Sequence, residues 1–193
     1  RGAQRLLARK VLITGGDSGI GRAVAIAFAR EGADIALQYL PGEEVDAQEV
    51  AQLVRDAGRK IALIPADFRQ PQIASQVVET AQQQIGTLDT LVLNAAQQIA
   101  HPSITELPIE QVQDSFNVNV VAMYALVQAA LPQLPAGGSI LTTTSVQAFN
   151  PSPHLLDYAA TKAAIKNFTI NLAQQLEDKG IRVNGVAPGP IWT

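Results

Sequence analysis

The chain has 193 residues, 47% of them hydrophobic and 16% charged, which is typical of one globular domain with a sizeable core. A net charge of -3 argues against the concentrated basic surface that nucleic-acid binding needs. The absence of cysteine excludes a disulfide, a thiolate zinc site and a cysteine nucleophile. The basic segment 1–10 lacks the long apolar stretch of a signal peptide or membrane anchor, so we expect a cytoplasmic protein with no membrane partner.

Short apolar segments rich in Val, Ile and Leu alternate with longer amphipathic segments along the chain. The short segments predict six strands that are buried on both faces: Lys10–Thr14, Asp34–Tyr39, Lys60–Pro65, Thr90–Asn94, Ser139–Thr143 and Arg182–Ala187. The longer segments predict five helices: Ile20–Glu31, Glu44–Ala57, Ile73–Ile85, Ile109–Leu131 and Tyr158–Lys179. This order predicts a single α/β domain over residues 1–193. Its expected fold is a doubly wound, Rossmann-like parallel sheet with helices on both faces and ligands at the carboxyl ends of the strands.

A glycine-rich turn, Thr14–Arg22, joins the first strand to the first helix with the spacing G-x-x-x-G-x-G. Glycines allow a close approach to a pyrophosphate, and the helix N-terminus attracts its charge. Tight packing is the structural alternative. A P-loop is excluded because Arg22-Ala23 replaces its lysine and hydroxyl pair. The turn therefore predicts dinucleotide binding by Gly15, Asp17, Ser18, Gly19, Ile20 and Gly21.

The end of the second strand, where an acidic side chain would meet the ribose of NAD, reads Gln38-Tyr39-Leu40-Pro41. With no carboxylate there to repel a 2′-phosphate, we expect NADP, with NAD as the alternative and with Ser18 and Tyr39 as donors. After the third strand, Asp67 and Phe68 are expected near the adenine. The alternative for Asp67 is a helix cap or a solvated turn.

Tyr158 and Lys162 are four residues apart, so in a helix their side chains share one face. A neighbouring ammonium favours the phenolate and is expected to lower the pKa of Tyr158, which then exchanges a proton with a carbonyl oxygen. Ser145, after the fifth strand, is placed to hydrogen-bond the same oxygen. Thr143 and Thr144 compete for that role on chemistry alone.

Five motifs in order resemble the short-chain dehydrogenase/reductase family: T-G-x-x-x-G-x-G at Thr14, an N-N-A-G-like segment at Asn94, the serine, Y-x-x-x-K and a P-G turn at Pro188. The resemblance covers about Lys10 to Thr193. Within the family, the turn and the run Pro151–Tyr158 resemble a bacterial subgroup of NADP-dependent aldehyde or alcohol dehydrogenases with an N-terminal extension.

The resemblance implies that Ser145 polarises the substrate carbonyl, that Tyr158 is the acid/base and that Lys162 lowers its pKa and binds the nicotinamide ribose. It also makes Asn119 the holder of a proton-relay water, with bracing of the helix as the alternative. Further cofactor contacts are implied at Asn94, Ala95, Pro188, Gly189, Ile191 and Thr193. The N-N-A-G segment departs from the family because it reads Leu93-Asn94-Ala95-Ala96 here.

We therefore expect an oxidoreductase that moves a hydride between NADP(H) and an aldehyde, a ketone or the corresponding alcohol, without a metal. The resemblance implies a homotetramer and, beyond Thr193, a substrate loop, a helix and a strand that this sequence lacks. Two alternatives are a non-catalytic dinucleotide-binding sensor or scaffold and a reductase of carrier-linked ketoacyl chains.

Overall fold

The computed structural model describes residues 2–192, which form one six-stranded sheet. All neighbouring strands are parallel and lie in the order β3-β2-β1-β4-β5-β6. The strands are β1 Lys10–Thr14, β2 Asp34–Tyr39, β3 Ile61–Pro65, β4 Thr90–Leu93, β5 Ser139–Thr143 and β6 Arg182–Val186. The predicted α/β fold is confirmed, and each strand lies within one residue of its predicted bounds.

Strand order reverses between β1 and β4, because the chain builds outwards from β1 to β3 and then returns to the other side of β1. At such a switch point the connections after the two strands leave on opposite sides, which opens a crevice at their carboxyl ends. Thr14 ends β1 and Leu93 ends β4, so the glycine-rich turn and the segment from Asn94 face this crevice.

Six α-helices connect the strands: α1 Gly19–Arg30, α2 Glu44–Asp56, α3 Ala74–Ile85, α4 Ile109–Phe116, α5 Ala122–Ala130 and α6 Leu156–Gln175. The predicted helical pattern over Ile109–Leu131 is confirmed as a helical run, but the run is not α-helical throughout. A wider π-helical segment, Asn117–Val121, separates α4 from α5. The last helix also starts two residues before its predicted first residue, Tyr158. A π-helical segment such as Asn117–Val121 inserts one extra residue into a helical turn, and such segments are frequent at functional sites.

The sheet has a hydrophobic core on each face. Alternation along β1 sends Val11 and Ile13 to the face covered by α1 and α2, and Leu12 to the face covered by α3, α5 and α6. Both cores are rich in Val, Ile, Leu and Ala, as the continuous apolar strands predict.

One helical run among residues 2–192, Ile109–Gln133, is long and apolar enough to cross a membrane by length and composition alone. Its buried residues include Val120, Met123 and Leu126, which belong to the core on the α3 side of the sheet. The core helix of a globular domain meets the same criteria, and 39% of the apolar window in this run is buried within the chain.

Candidate active site

A cleft of about 600 Å³ lies at the carboxyl ends of β1 and β4. Its walls come from the glycine-rich turn, from the segments after β2, β3 and β4, and from α6. The cleft brings together eleven residues that the sequence predicts as cofactor contacts: Gly15, Asp17, Ser18, Gly19, Ile20, Asp67, Phe68, Asn94, Ala95, Tyr158 and Lys162.

Two glycines of the turn are required by close contacts. Gly15 has a φ of +58°, and a Cβ there would lie 2.9 Å from the Cα of Ala95. A Cβ on Gly21 would lie 1.9 Å from the carbonyl oxygen of Gly15. Gly21 does not line the cleft. Its lack of a side chain lets α1 start directly beneath the turn.

The N-terminus of α1 faces the cleft without a side-chain cap. Ser18 occupies the N-cap position but its hydroxyl makes no capping hydrogen bond, and the first turn carries no acidic residue. The first N–H groups of a helix have no intrahelical partners, and they attract anions. Together with the glycine contacts, this arrangement fits the pyrophosphate of a dinucleotide.

Gln38, a residue that the sequence reasoning did not single out, braces the turn from the neighbouring strand. Its Oε1 accepts a hydrogen bond from the Gly15 N–H at 2.9 Å, and its Nε2 donates to the Ala66 carbonyl at 2.7 Å. The carboxamide uses both of its ends on the backbone, so Gln38 links β2 to the segments after β1 and β3.

Tyr39 lies elsewhere than expected. Its side chain is buried in the core on the α1–α2 side of the sheet and does not line the cleft, where Leu40 takes its place. A strand buried on both faces contains apolar residues at every position, so its pattern does not say which side chain points to which face. The expected donation from Tyr39 to a 2′-phosphate is not supported by this placement.

Asp17 and Glu43 form a pair of carboxyl groups in the cleft wall. Asp17 is buried, and Glu43 reaches it from the turn between β2 and α2. Burial of the Glu43 carboxyl, together with its interaction with the nearby Asp17 carboxyl, raises the pKa of Glu43. The expectation that no carboxylate lies here was wrong, because Glu43 comes several residues after the strand end at which an acidic residue is sought.

Asp67 forms a local turn with Arg69, as one of the two sequence alternatives predicts. Its Oδ1 accepts a hydrogen bond from the Arg69 N–H at 2.9 Å, and the guanidinium Nε donates to Oδ2 at 2.9 Å. These hydrogen bonds lower the pKa of Asp67. Both residues line the cleft, and so does Phe68, whose side chain is largely buried in the core.

Asn94 cross-links the ends of three strands. Its N–H donates to Thr14 Oγ1 at 2.9 Å, its Nδ2 donates to the Gly15 carbonyl at 3.2 Å, and its Oδ1 accepts from Thr143 Oγ1 at 3.0 Å. The Ala95 N–H also donates to Thr14 Oγ1. These bonds hold the floor of the cleft in place where the family motif departs from its usual residues.

Lys162 is buried on the sheet-facing side of α6, with only 2% of its surface exposed. Its Nζ donates to the Thr143 carbonyl at 2.8 Å and lies 5.3 Å from the centroid of the Tyr158 ring. Burial lowers the pKa of this ammonium to about 8. The pair therefore shares one face of α6, as the four-residue spacing predicts.

The pKa of Tyr158 shifts in the direction opposite to the sequence expectation. Burial raises the pKa of the half-buried phenol, and the hydrogen bond with Ser145 offsets part of this increase. The ammonium of Lys162 is directed at the Thr143 carbonyl instead of the phenol oxygen. Desolvation of the Tyr158 phenol thus outweighs the lowering of its pKa that was expected from Lys162.

The hydroxyl groups after β5 have different partners, which distinguishes Ser145 from its two rivals. Thr143 donates its proton to Asn94, and Thr144 donates its proton to the Lys162 carbonyl at 2.7 Å. Ser145 Oγ instead accepts a hydrogen bond from the Gln147 N–H at 3.1 Å. Its own proton remains for the Tyr158 phenol or for a substrate oxygen.

Asn119 lies fully buried in the π-helical segment and uses its whole carboxamide. Its Oδ1 accepts from the Gln97 N–H at 2.7 Å, while its Nδ2 donates to the Gln97 carbonyl and to Thr161 Oγ1, each at 3.0 Å. The side chain thus braces the segment after β4 against α6, which is the structural alternative considered above.

Asp157, next to Tyr158, is a buried carboxylate that the sequence argument missed. Its Oδ2 accepts from Ser115 Oγ at 2.6 Å and from Gln111 Nε2 at 3.2 Å. Burial opposes its ionisation, but these hydrogen bonds outweigh burial and lower the pKa of Asp157. Because Gln111 Oε1 also contacts His101 Nε2 at 2.6 Å, this network ties α4, α6 and the segment after β4 together.

The P-G turn lies beside the serine, but its predicted contacts do not line the cleft. The Pro188 carbonyl accepts from the Val146 N–H at 3.0 Å, next to Ser145. Among residues 2–192 nothing lies within 4 Å of a Cβ on Gly189, and Ile191 lies against α1 in a separate groove. The structure therefore does not bring Pro188, Gly189 and Ile191 to the cofactor cleft, because the chain leaves β6 along α1. Thr193 lies outside the described residues.

Among residues 2–192 no group of three or more His, Asp or Glu side chains converges as a metal site would require. The cleft is lined by a helix N-terminus, backbone groups and hydroxyls, and its charged groups are the Lys162 ammonium, the Arg69 guanidinium and the carboxyl groups of Asp17, Glu43 and Asp67. This donor set fits a dinucleotide with its phosphates at α1 and its reactive end near Tyr158.

The sequence profile of the short chain dehydrogenases matches residues 9–193. An uncharacterised oxidoreductase of Escherichia coli K12, YghA, is 56% identical over 192 residues, which cover 100% of this chain and 65% of the relative. The NADPH-dependent aldehyde reductase 1 of Arabidopsis thaliana chloroplasts is 44% identical over 196 residues, covering 99% of this chain and 68% of that protein.

A short chain dehydrogenase of Burkholderia cenocepacia J2315, solved in complex with NADP, superposes with a TM-score of 0.92 at 38% identity and covers 96% of this chain and 75% of that one. The chain thus spans about two thirds of the length of the curated relatives. These alignments include the segment before β1 and do not support a distinctive N-terminal extension. On its motifs, its fold and these matches, the chain belongs to the short-chain dehydrogenase/reductase family.

Proposed function

We propose that this protein is an NADP(H)-dependent oxidoreductase that interconverts an aldehyde or ketone with the corresponding alcohol. The observation that carries the proposal is the convergence of Ser145, Tyr158 and Lys162 beside a cleft whose other end is an uncapped helix N-terminus. The NADP complex of the Burkholderia relative and the name of the Arabidopsis aldehyde reductase support this cofactor and substrate class. NAD remains the alternative cofactor.

The three side chains have separate roles in this proposal. Ser145 donates a hydrogen bond to the carbonyl oxygen, and Tyr158 gives that oxygen a proton during reduction or removes one during oxidation. Lys162, held by the Thr143 carbonyl, carries positive charge near the phenol and the nicotinamide ribose. The bound cofactor supplies or accepts the hydride, and the protein supplies orientation and the proton.

Replacing Tyr158 by phenylalanine tests the assignment. The variant loses the exchangeable proton but keeps the ring, so we expect turnover with a panel of aldehydes and ketones to fall at least about a hundredfold. The Kd of NADP+, measured by calorimetry, should change less than about threefold. Turnover at the level of the unmodified protein would refute the role of Tyr158.

Two other functions would give different results. A dinucleotide-binding sensor would bind NADPH without consuming it in the presence of any carbonyl compound. A reductase of carrier-linked ketoacyl chains would turn over a ketoacyl thioester on its carrier protein far better than free aldehydes. Following NADPH absorbance with each substrate class separates the three functions.

We also propose that the exposed faces of α5 and α6 join copies of this chain in a homotetramer. Tyr124 and Ile170 are 50% and 55% exposed there, and the small side chains of Ala160 and Ala163 permit close approach. Ala122 and Ala159, which also belong to α5 and α6, are buried within the chain and do not contribute to this face. Light scattering would test the proposal, and a stable monomer would refute it.

A further inference from the structure

One oxygen atom in the cleft wall has no hydrogen-bond partner among residues 2–192. It is Oδ2 of Asp17, a residue that is 3% exposed and lines the cleft between β1 and α1. A buried acceptor without a donor is costly, and in most proteins such an atom is satisfied by water or by a ligand. At the wall of a binding cleft, the missing donor points to a ligand hydroxyl group.

Glu43 adds a second carboxyl group at the same place. It lines the cleft from the turn before α2 and interacts with Asp17. The nearby cations are engaged elsewhere, since Arg22 pairs with Glu49 at 3.1 Å and Arg69 pairs with Asp67. Within the described part of the chain, neither carboxyl group has a salt-bridge partner, so this wall of the cleft is acidic.

The position of the pair indicates which part of a dinucleotide it meets. In a doubly wound sheet the adenosine ribose lies between the glycine-rich turn and the end of the second strand. Gln38, at the end of β2, is uncharged and already uses its carboxamide oxygen and nitrogen in hydrogen bonds to the backbone. Asp17 and Glu43 are therefore the carboxyl groups that remain to accept hydrogen bonds at this position.

An unphosphorylated ribose presents two neighbouring hydroxyl donors, which carboxyl oxygens accept. A 2′-phosphate presents only acceptor oxygens and up to two negative charges, so it is repelled by the same oxygens. We infer that Asp17 and Glu43 recognise the adenosine ribose and lower the affinity of this chain for a 2′-phosphorylated cofactor relative to an unphosphorylated one.

The inference rests on the dinucleotide binding proposed above and names the residues that set the ratio of NAD to NADP affinity. Where NADP(H) is used, its 2′-phosphate binds against this repulsion, with the Ser18 hydroxyl, which makes no capping hydrogen bond, as a donor in the cleft wall. Removing one acidic charge should therefore favour NADP+ over NAD+.

The test measures the Kd of NAD+ and of NADP+ by isothermal titration calorimetry for the unmodified protein, Glu43→Gln and Asp17→Asn. We expect the ratio Kd(NAD+)/Kd(NADP+) to rise about tenfold in each variant, the effect of one nearby charge in a partly screened cleft. Glu44→Gln is the matched control: it removes the same charge from the next residue, which does not line the cleft. Its ratio should change less than about twofold.

An unchanged ratio in Glu43→Gln would overturn the inference, as would an equal change in the Glu44→Gln control. A parallel loss of both affinities would also overturn it, because a purely structural role weakens both cofactors together. Thermal unfolding checks that each variant is folded, and Glu43→Gln decides the question alone if Asp17→Asn does not fold. If the unmodified protein bound neither cofactor, the proposed function itself would fail.

Discussion

Replacing Lys162 by methionine removes a buried ammonium whose charged form is destabilised by desolvation. The pKa of this group falls from 10.5 in an exposed lysine to about 8 in the folded protein. The difference of about 2.5 corresponds to about 3 kcal/mol, at ~1.4 kcal/mol for each pKa unit. Methionine has a similar length and no charge, so it fits the same space without this cost.

The sign of the pH dependence follows from proton binding. Below about pH 8 the lysine is protonated in both the folded and the unfolded chain, so it adds no pH dependence to stability. Between about pH 8 and about pH 10.5 only the unfolded chain still holds the proton, so the free energy of unfolding rises with pH. From about pH 7 to about pH 9.5 the unmodified protein should gain about 2 kcal/mol relative to Lys162→Met.

Urea denaturation at several pH values in this range measures the difference. Lys179→Met is the matched control, since this lysine is exposed, and we expect it to follow the unmodified protein. A free energy of unfolding that differs between Lys162→Met and the unmodified protein by a constant amount at every pH would refute this account of the buried ammonium. Lys162→Met should also lose turnover, because stability and activity at this residue oppose each other.

Three further predictions concern contacts around the cleft. Gly21→Ala should destabilise the fold by about 3 kcal/mol in urea denaturation, because its Cβ would collide with the Gly15 carbonyl. Asp157→Asn should lower the free energy of unfolding by about 2 kcal/mol at neutral pH, which is more than Ser115→Ala should. Since the pKa of Asp157 is lowered, its stabilisation is lost as the pH falls, so Asp157→Asn should flatten the acid side of the stability profile. Ser145→Ala should reduce turnover about a hundredfold in a carbonyl assay while the Kd of the cofactor stays within about twofold.

Patterns within short segments of the sequence determined the secondary structure and the local geometry of the main motifs. The alternation of apolar runs and amphipathic segments predicts all six strands to within one residue and their α/β arrangement. The glycine spacing predicts the turn at α1, and the four-residue spacing of Tyr158 and Lys162 predicts their shared helix face. Each of these features depends on residues close in sequence, whose geometry follows from the period of a strand or a helix.

Contacts between distant segments were decided only by the tertiary structure. The sequence does not show that Glu43 meets Asp17, that Ser115 binds Asp157, or that the side chain of Tyr39 points into the core. The pKa of Tyr158 was also decided by the tertiary structure, because burial by the surrounding fold outweighs the effect expected from Lys162 four residues away. Burial and pairing depend on which segments the sheet brings together, and strands that are apolar on both faces carry no periodic signal of that choice.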